Sequence, residues 1–475
     1  MSTRKQTGQK EYLDLFDLID HNDLHEINII EEKYSQQYPR SSLDNASRYL
    51  EKVLVDSLIQ SKIKEDNLFK LFHGLMRVRV LEERNLPDES HKELKKVQQL
   101  ALDSQNHFIQ SITYRFELNY HADNNFAGLS EKALVERQMK ARDTLKTIRD
   151  THELYSLYEL LKYRLTHSGK ILSEGGRKQL NDLLLSEIGL VTGRIKNNFE
   201  SGKLHLLFQS FFFTDIGDYK SALKTFYELN RLFEQNTSIW NVPPLDYLFS
   251  LDGILDSLRT IGYFSEMPFY IARMSQLSDP DYPEYFRFMV EKLVVIYQLI
   301  ILTSEKEYKK AINYIRHTNP QLLTMHTLVH YERQWELLFY FALSYLGDKD
   351  LSKAQKYIND IIRVGKINYQ SIIYKAAMLL NIIIHYEQGN LDYLDYEIRS
   401  YRRSFQLKGK LMQTEKLIFK VVKLHPSRNN PRKNKLLWPK IRPAVTAIEK
   451  DKYEAQLRKY YDFAGWVTSL FLAGD

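Results

Sequence analysis

Apolar residues along this chain recur every three to four positions, the period of an amphipathic helix. Tyr12 to Ile19 shows the pattern, Leu24 to Tyr34 repeats it, and Asn22-Asp23 supplies a break and an N-cap between them. Ser41-Ser42 starts a helix carrying Tyr49, Val53, Leu54 and Leu58, and Asp66-Asn67 caps the next, with Leu68, Phe69, Leu71, Phe72 and Leu75 behind it. Pro87-Asp88-Glu89-Ser90 reads as a turn, His91 to about Tyr120 as a long helix, and His121 to Asn125 as the following break.

From about residue 150 the pattern repeats at long range. Gly217 to Ala222 separates two apolar helices, and Glu307 to Ala311, Asp348 to Ala354 and Gln388 to Leu394 occupy the same place later. Ile261 to Met267 is a weaker copy. The anchors Ala222, Met267, Ala311, Ala354 and Leu394 lie 45, 44, 43 and 40 residues apart, and Leu180 is a degenerate sixth. A small residue here lets two helices approach closely. One turn further on the same face is large, at Phe226, Ile271, Ile315, Ile358 and Ile398. One helix pair cannot bury its own apolar face, whereas stacked pairs share a continuous core.

These units resemble the tetratricopeptide-repeat family over roughly residues 150–425. Phe213, Gly217, Tyr219, Ala222 and Phe226 stand where the family has aromatic, glycine, aromatic, alanine and aromatic residues, and Ala342, Tyr345, Ala354 and Ile358 match in a second copy. The spacing exceeds the family's usual ~34 residues, and its closing proline is mostly absent. The chain resembles bacterial tetratricopeptide-like proteins of unassigned activity. The resemblance implies an all-α solenoid of antiparallel helix pairs that binds other proteins. Residues 1–149 then form a divergent helical region continuing the solenoid, 150–425 the repeats, and 426–475 a basic linker and a capping helix. That helix, Ala447 to Leu472, has a docking helix for a partner as its alternative.

Composition agrees with helices. Glycine (18) and proline (12) are too scarce in 475 residues for the many turns of a β-rich chain, and 43% hydrophobic with 27% charged residues is a globular balance. No cysteine is present, which excludes disulfides, thiolate metal sites and cysteine nucleophiles. Leu293 to Leu302 is the most apolar run and is far short of the ~20 residues that span a bilayer. A basic, polar start without a signal peptide completes the expectation of a soluble cytoplasmic protein with no membrane insertion.

Enzymatic motifs are missing: no Gly-x-Gly-x-x-Gly, no Gly-x-x-x-x-Gly-Lys, no Gly-x-Ser-x-Gly and no His-Glu-x-x-His. His21/His25 and His326/His330 have one-turn spacing, but neither pair has a third ligand nearby, so no metal or other cofactor is expected. Asp252 and Asp256 are one turn apart and could act as general acid and base. The expectation is a solvated helix face.

In one subset of the family, lysine and asparagine on the first helix of each pair grip a C-terminal carboxylate. The asparagine position here holds Phe211, Ile300, Leu343 and Ile383, with Asp256 in the weak copy, so that clamp is not expected. Phe211, Ile300, Phe339 and Leu343, with Leu207, Ile296 and Leu379, instead predict an apolar inner lining. It is either a groove for a hydrophobic partner or, the expectation, buried by packing, because exposed apolar patches of that size are rare.

Charge is concentrated. Arg399 to Arg442 holds fourteen lysines and arginines against Glu415 alone, a net +13 in a chain of net +7, so the remainder sums to −6. The segment includes Arg402, Arg403, Lys408, Lys410, Lys416, Lys420, Lys423, Arg428, Arg432, Lys433, Lys435, Lys440 and Arg442. His425 to Pro443, rich in proline and asparagine, reads as an extended linker. The segment could dock on the protein's own acidic repeats, recruit an acidic protein or peptide, or bind nucleic acid with Tyr401, Phe405 and Trp438 stacking on bases. The reading as a whole is a non-enzymatic interaction scaffold with a protein or peptide partner, with a nucleic-acid-associated regulator as the rival. Oligomeric state is not set by the sequence.

Overall fold

A computed structural model describes residues 4–21, 27–168, 175, 178, 180–194, 198–240, 242–324, 331–365, 371–406, 411–424 and 431–472. Among them the chain is all-α, with helices packed in neighbouring pairs as in a helical-repeat solenoid. It divides into two compact units, Met1–Ile148 and Arg149–Asp475.

Unit 1 contains α1 (Arg4–Asp20), α2 (Ile27–Gln37), α3 (Leu43–Glu65), α4 (Asn67–Glu83), α5 (Pro87–Asp103), α6 (His107–Asp123) and the first half of α7 (Glu131–Ser168). Asp66 accepts from the Leu68 and Phe69 amides at the head of α4. Leu71 on α4, Val97 and Ala101 on α5 and Ile109 on α6 form one small core. Gly74 admits α5 so closely that a Cβ would lie 2.5 Å from Val97 Cγ2. Between α5, α6 and α7, buried Glu117 accepts from Lys95 (2.6 Å), Gln98 (2.9 Å) and Arg137 (3.0 Å). Burial would raise its carboxyl, but these donors overcome that and hold it down at about 2.

Unit 2 continues with α8 (Asn181–Arg194), α9 (Phe199–Asp215), α10 (Tyr219–Gln235), α11 (Leu245–Ile261), α12 (Met267–Ser275), α13 (Glu284–Ser304), α14 (Tyr308–Arg316), the short α15 (Gln321–Thr324), α16 (Tyr331–Gly347), α17 (Leu351–Gly365), α18 (Ile372–Glu387) and α19 (Leu391–Gln406). Then follow α20 (Gln413–Leu424), α21 (Pro431–Lys450), α22 (Ala455–Arg458) and α23 (Phe463–Leu472). All five anchors are buried at 1% exposure or less. The turn before each anchor is the same. Gly217, Gly262, Lys306, Lys349 and Gly389, each five residues ahead of its anchor, have φ between 60° and 89°. The following amide donates to the carbonyl five residues back, as in Asp218 to Phe213 and Asp350 to Tyr345, both 2.9 Å. This closes the first helix with a left-handed residue and starts the second at once. Asp218 and Asp350 then cap the second helix through the Ser221 and Lys353 amides. Asn85 and Gln105 in unit 1 make the same turn.

Two expectations for the C-terminal region need correction. The stretch expected to be an extended linker is helical from Pro431 onward, with Pro439 and Pro443 inside the helix. An interior proline costs about 3 kcal/mol in a helix. Here Ile441, Val445 and Ile448 bury one face, and both prolines sit on the exposed side. The expected single capping helix is instead three pieces, the end of α21 followed by α22 and α23.

Candidate functional site

The C-terminal segment meets the first helices of four pairs in chain order. The Lys452 carbonyl abuts the α9–α10 turn, where a Cβ on Gly217 would come within 2.9 Å of it. Gln456 reaches the Asp215 carbonyl at the end of α9 (3.5 Å), and Lys459 donates to both Asp256 oxygens on α11 (3.1 Å each). The Tyr460 ring lies 6.0 Å from Phe339 on α16, and the Trp466 indole donates to Glu387 on α18 (3.2 Å). Glu454 accepts from the Gln413 and Thr414 amides and the Thr414 hydroxyl, holding the head of α20. Of the inner lining expected from the sequence, Phe339 lies under this segment. Ile300, Phe339 and Leu343 are buried, and Phe211 is half-buried against Tyr158. An open groove does not exist at these residues.

Beneath this segment lies a buried network of charge. On α11, Arg259 pairs with Asp256 and reaches Glu336 on α16. Arg333, one turn before Glu336, pairs with it and with Asp252. Tyr297 on α13 donates to Asp252 (2.7 Å), and Arg259 lies 5.2 Å from the Tyr460 ring centre. With Lys459 the set has three cations and three anions. Burial would raise the Asp256 carboxyl, but Arg259, Lys459 and Arg333 hold it far below the usual carboxylate range. The expected solvated face at Asp252 and Asp256 is thus overturned. Both acids point into the core because the cations that neutralise them sit on neighbouring helices. A carboxylate held this low is not poised to exchange protons near neutral pH.

Lys292 on α13 is buried with no acid paired to it among the described residues. Its Nζ donates to Gln334 Oε1 (2.6 Å) and lies 5.1 Å from the Phe288 ring centre, and burial pushes it down to about 8. His25, His326 and His330 lie outside the described residues, while His21 bonds the Asp17 carbonyl (2.7 Å). Among the described residues no group of three histidines and carboxylates could hold a metal ion.

The basic segment forms a face. On α20, Leu417, Ile418, Val421 and Val422 point inward, which turns Lys416, Lys420 and Lys423 outward in one row. On the adjoining α21, Lys435, Lys440 and Arg442 are exposed, and Lys420 donates to the Lys440 carbonyl (3.3 Å). The one acid of the segment, Glu415, is buried on the other side against Tyr401 and Lys375. Among the described residues no carboxylate pairs with Lys416, Lys420, Lys423, Lys440 or Arg442. Arg402 is half-buried over the Phe419 ring (5.4 Å), and Arg403 is exposed. Lys408, Lys410 and Arg428 lie outside the described residues. Arg432 and Lys433 belong to the first turn of α21. Of the expected stacking rings, Tyr401 is fully buried and Trp438 packs against Phe471 (5.9 Å).

Fold and surface together define an all-α helical-repeat protein with a filled inner face and an open cationic outer one. No known protein family and no curated protein matches the chain. Among the described residues no helix is long and apolar enough to cross a membrane.

Proposed function

We propose that this chain is a non-catalytic, tetratricopeptide-like scaffold acting inside the cell, and that it recruits an acidic protein segment on the cationic face of α20 and α21. One observation carries this reading: the Lys416, Lys420 and Lys423 row is exposed and has no acidic partner among the described residues, while the C-terminal segment lies across the inner face at Asp256, Phe339 and Glu387. Cationic rows of this kind steer and orient an acidic partner, with a strong dependence on ionic strength. Of the rings that would stack on bases, Tyr401 is fully buried and the half-buried Trp438 packs on Phe471, which favours protein over nucleic acid.

The test is affinity capture from nuclease-treated extract with the native chain and with Lys416→Glu/Lys420→Glu/Lys423→Glu. The expected result is a partner held by the native chain, released by ~0.5 M salt, and retained at least tenfold less by the variant. Equal capture by both proteins removes the face from the reading. A salt-sensitive gel shift of generic RNA or DNA, lost in the variant, establishes the nucleic-acid reading in its place.

A further inference from the structure

Between the first turns of α9 and α11, unit 2 holds a cleft of about 270 Å³ that the scaffold reading does not use. Lys203 lines it, only 8% exposed, and donates to Glu200 on its own helix (2.8 Å) and to Asp246 on α11 (2.9 Å). Burial would lower the Lys203 ammonium, but the two carboxylates more than offset this and keep it charged. Both acids reach solvent, with side chains 29% and 31% exposed. Glu200 uses one oxygen, Oε1, for both Lys203 and the Tyr155 hydroxyl, and its Oε2 has no partner among the described residues. Much of the remaining wall is aromatic. Trp240 is fixed there, its indole donating to the Phe233 carbonyl (2.8 Å) and its ring stacked on Tyr247 (4.4 Å).

We infer that this cleft binds a guanidinium group, carried either by an arginine side chain of a peptide or by a small free molecule. Charge, shape and size select that chemistry. Among the lining residues two carboxylates face one ammonium, which leaves a net charge of −1 for a cation to neutralise. A carboxylate in a first helical turn is stabilised by the helix dipole and by itself signals no ligand. Here two such acids from different helices meet on one buried lysine beside an aromatic wall. A planar cation stacks on an indole face while its N–H edge bonds a carboxylate, and Trp240 and Glu200 line the same cleft. The volume, about 270 Å³, falls below the ~300–1,000 Å³ of pockets that take whole drug-sized ligands, and suits one side-chain-sized group. None of the lysines of the cationic face takes part, so this site stands apart from the scaffold reading.

Isothermal titration of the full chain with n-propylguanidine, with its neutral isostere n-propylurea and with acetyl-Gly-Arg-Gly-amide tests it. The expected result is saturable binding of the guanidine with Kd on the order of 0.1–1 mM and none of the urea up to ~10 mM. Asp246→Asn, which leaves Glu200 to hold Lys203, should weaken binding at least tenfold, whereas Asp392→Asn, at an exposed acid on α19, should change nothing. A peptide that binds more tightly than n-propylguanidine assigns the group to a polypeptide, and one that binds no better assigns it to a small free molecule. Should Asp246→Asn misfold, tryptophan fluorescence of the native chain gives a second measurement, because Trp335 and Trp466 are buried and Trp240 lines the cleft. The guanidine, and not the urea, should then change the emission with the midpoint seen by titration. Equal binding of guanidine and urea, no saturation with the native chain, or binding that a folded Asp246→Asn leaves intact overturns the inference.

Discussion

Replacing Lys292 by methionine should stabilise the protein at neutral pH. In the native state the ammonium is buried with one neutral partner, Gln334, and its pKa falls from the usual 10.5 to about 8. At 1.36 kcal/mol per unit, keeping the charge buried below pH 8 costs about 3 kcal/mol. Methionine has nearly the same length and no charge. Its cost is one lost hydrogen bond, which leaves Gln334 Oε1 unpartnered at about 1–2 kcal/mol. The net expectation at pH 7 is a gain of about 1–2 kcal/mol. The pH dependence is the sharper signature. Between the folded and unfolded pKa values the unfolded chain holds a proton that the folded chain has released. Native stability therefore rises with pH from about 8 toward 10.5 relative to Lys292→Met. Urea unfolding of both proteins from pH 7 to 9.5, taken as a difference, isolates this group from the tyrosines that titrate above. Destabilisation at pH 7, or a difference that stays flat from pH 8 to 9.5, would refute a charged, partner-poor Lys292.

Two further outcomes follow from features of unit 2. Lys349 has φ 66°, a conformation that glycine adopts freely, so Lys349→Gly should raise the urea midpoint by an amount worth about 0.5–1 kcal/mol; no gain would mean that the turn relaxes away from this backbone. Lys459→Met takes one cation from Asp256 and leaves Arg259, so a loss of about 2–3 kcal/mol is expected, below the full value of a broken buried pair. It should bring earlier proteolytic cleavage within residues 451–472, and wild-type protease resistance would show that the apolar contacts alone hold this segment.

The helix pairs were legible because their signal is local. A small residue, then a large one a turn later, names the packing face at Ala222 and Phe226 and again at Ala354 and Ile358. The shared turn was only partly visible. Glycine marks it at 217, 262 and 389, but Lys306 and Lys349 take the same backbone with no mark in their identity. The ionic network could not be read at all. Period arguments assign charged residues to the surface, and the partners that bury these are 77 positions apart for Arg259 and Glu336 and 203 for Asp256 and Lys459. α21 was misread because two prolines outweighed a face of Asn434, Ile441, Val445 and Ile448 whose burial depends on α23. The cationic segment stood out by charge, yet which lysines face outward depended on the buried side of α20.

The bond between Gln456 and the Asp215 carbonyl spans 241 residues of chain. At synthesis rates of ~5–20 residues per second, roughly 10–50 s separate the appearance of the two ends. During that interval Phe339 and Asp256 are made without the segment that covers them. The stack of helix pairs thus emerges from the ribosome unsealed, with sticky and mischarged surface open to passing chaperones. A chain that stopped near residue 450 would lack Lys459 and Tyr460, and so would leave Asp256 without one of its cations and Phe339 without its cover.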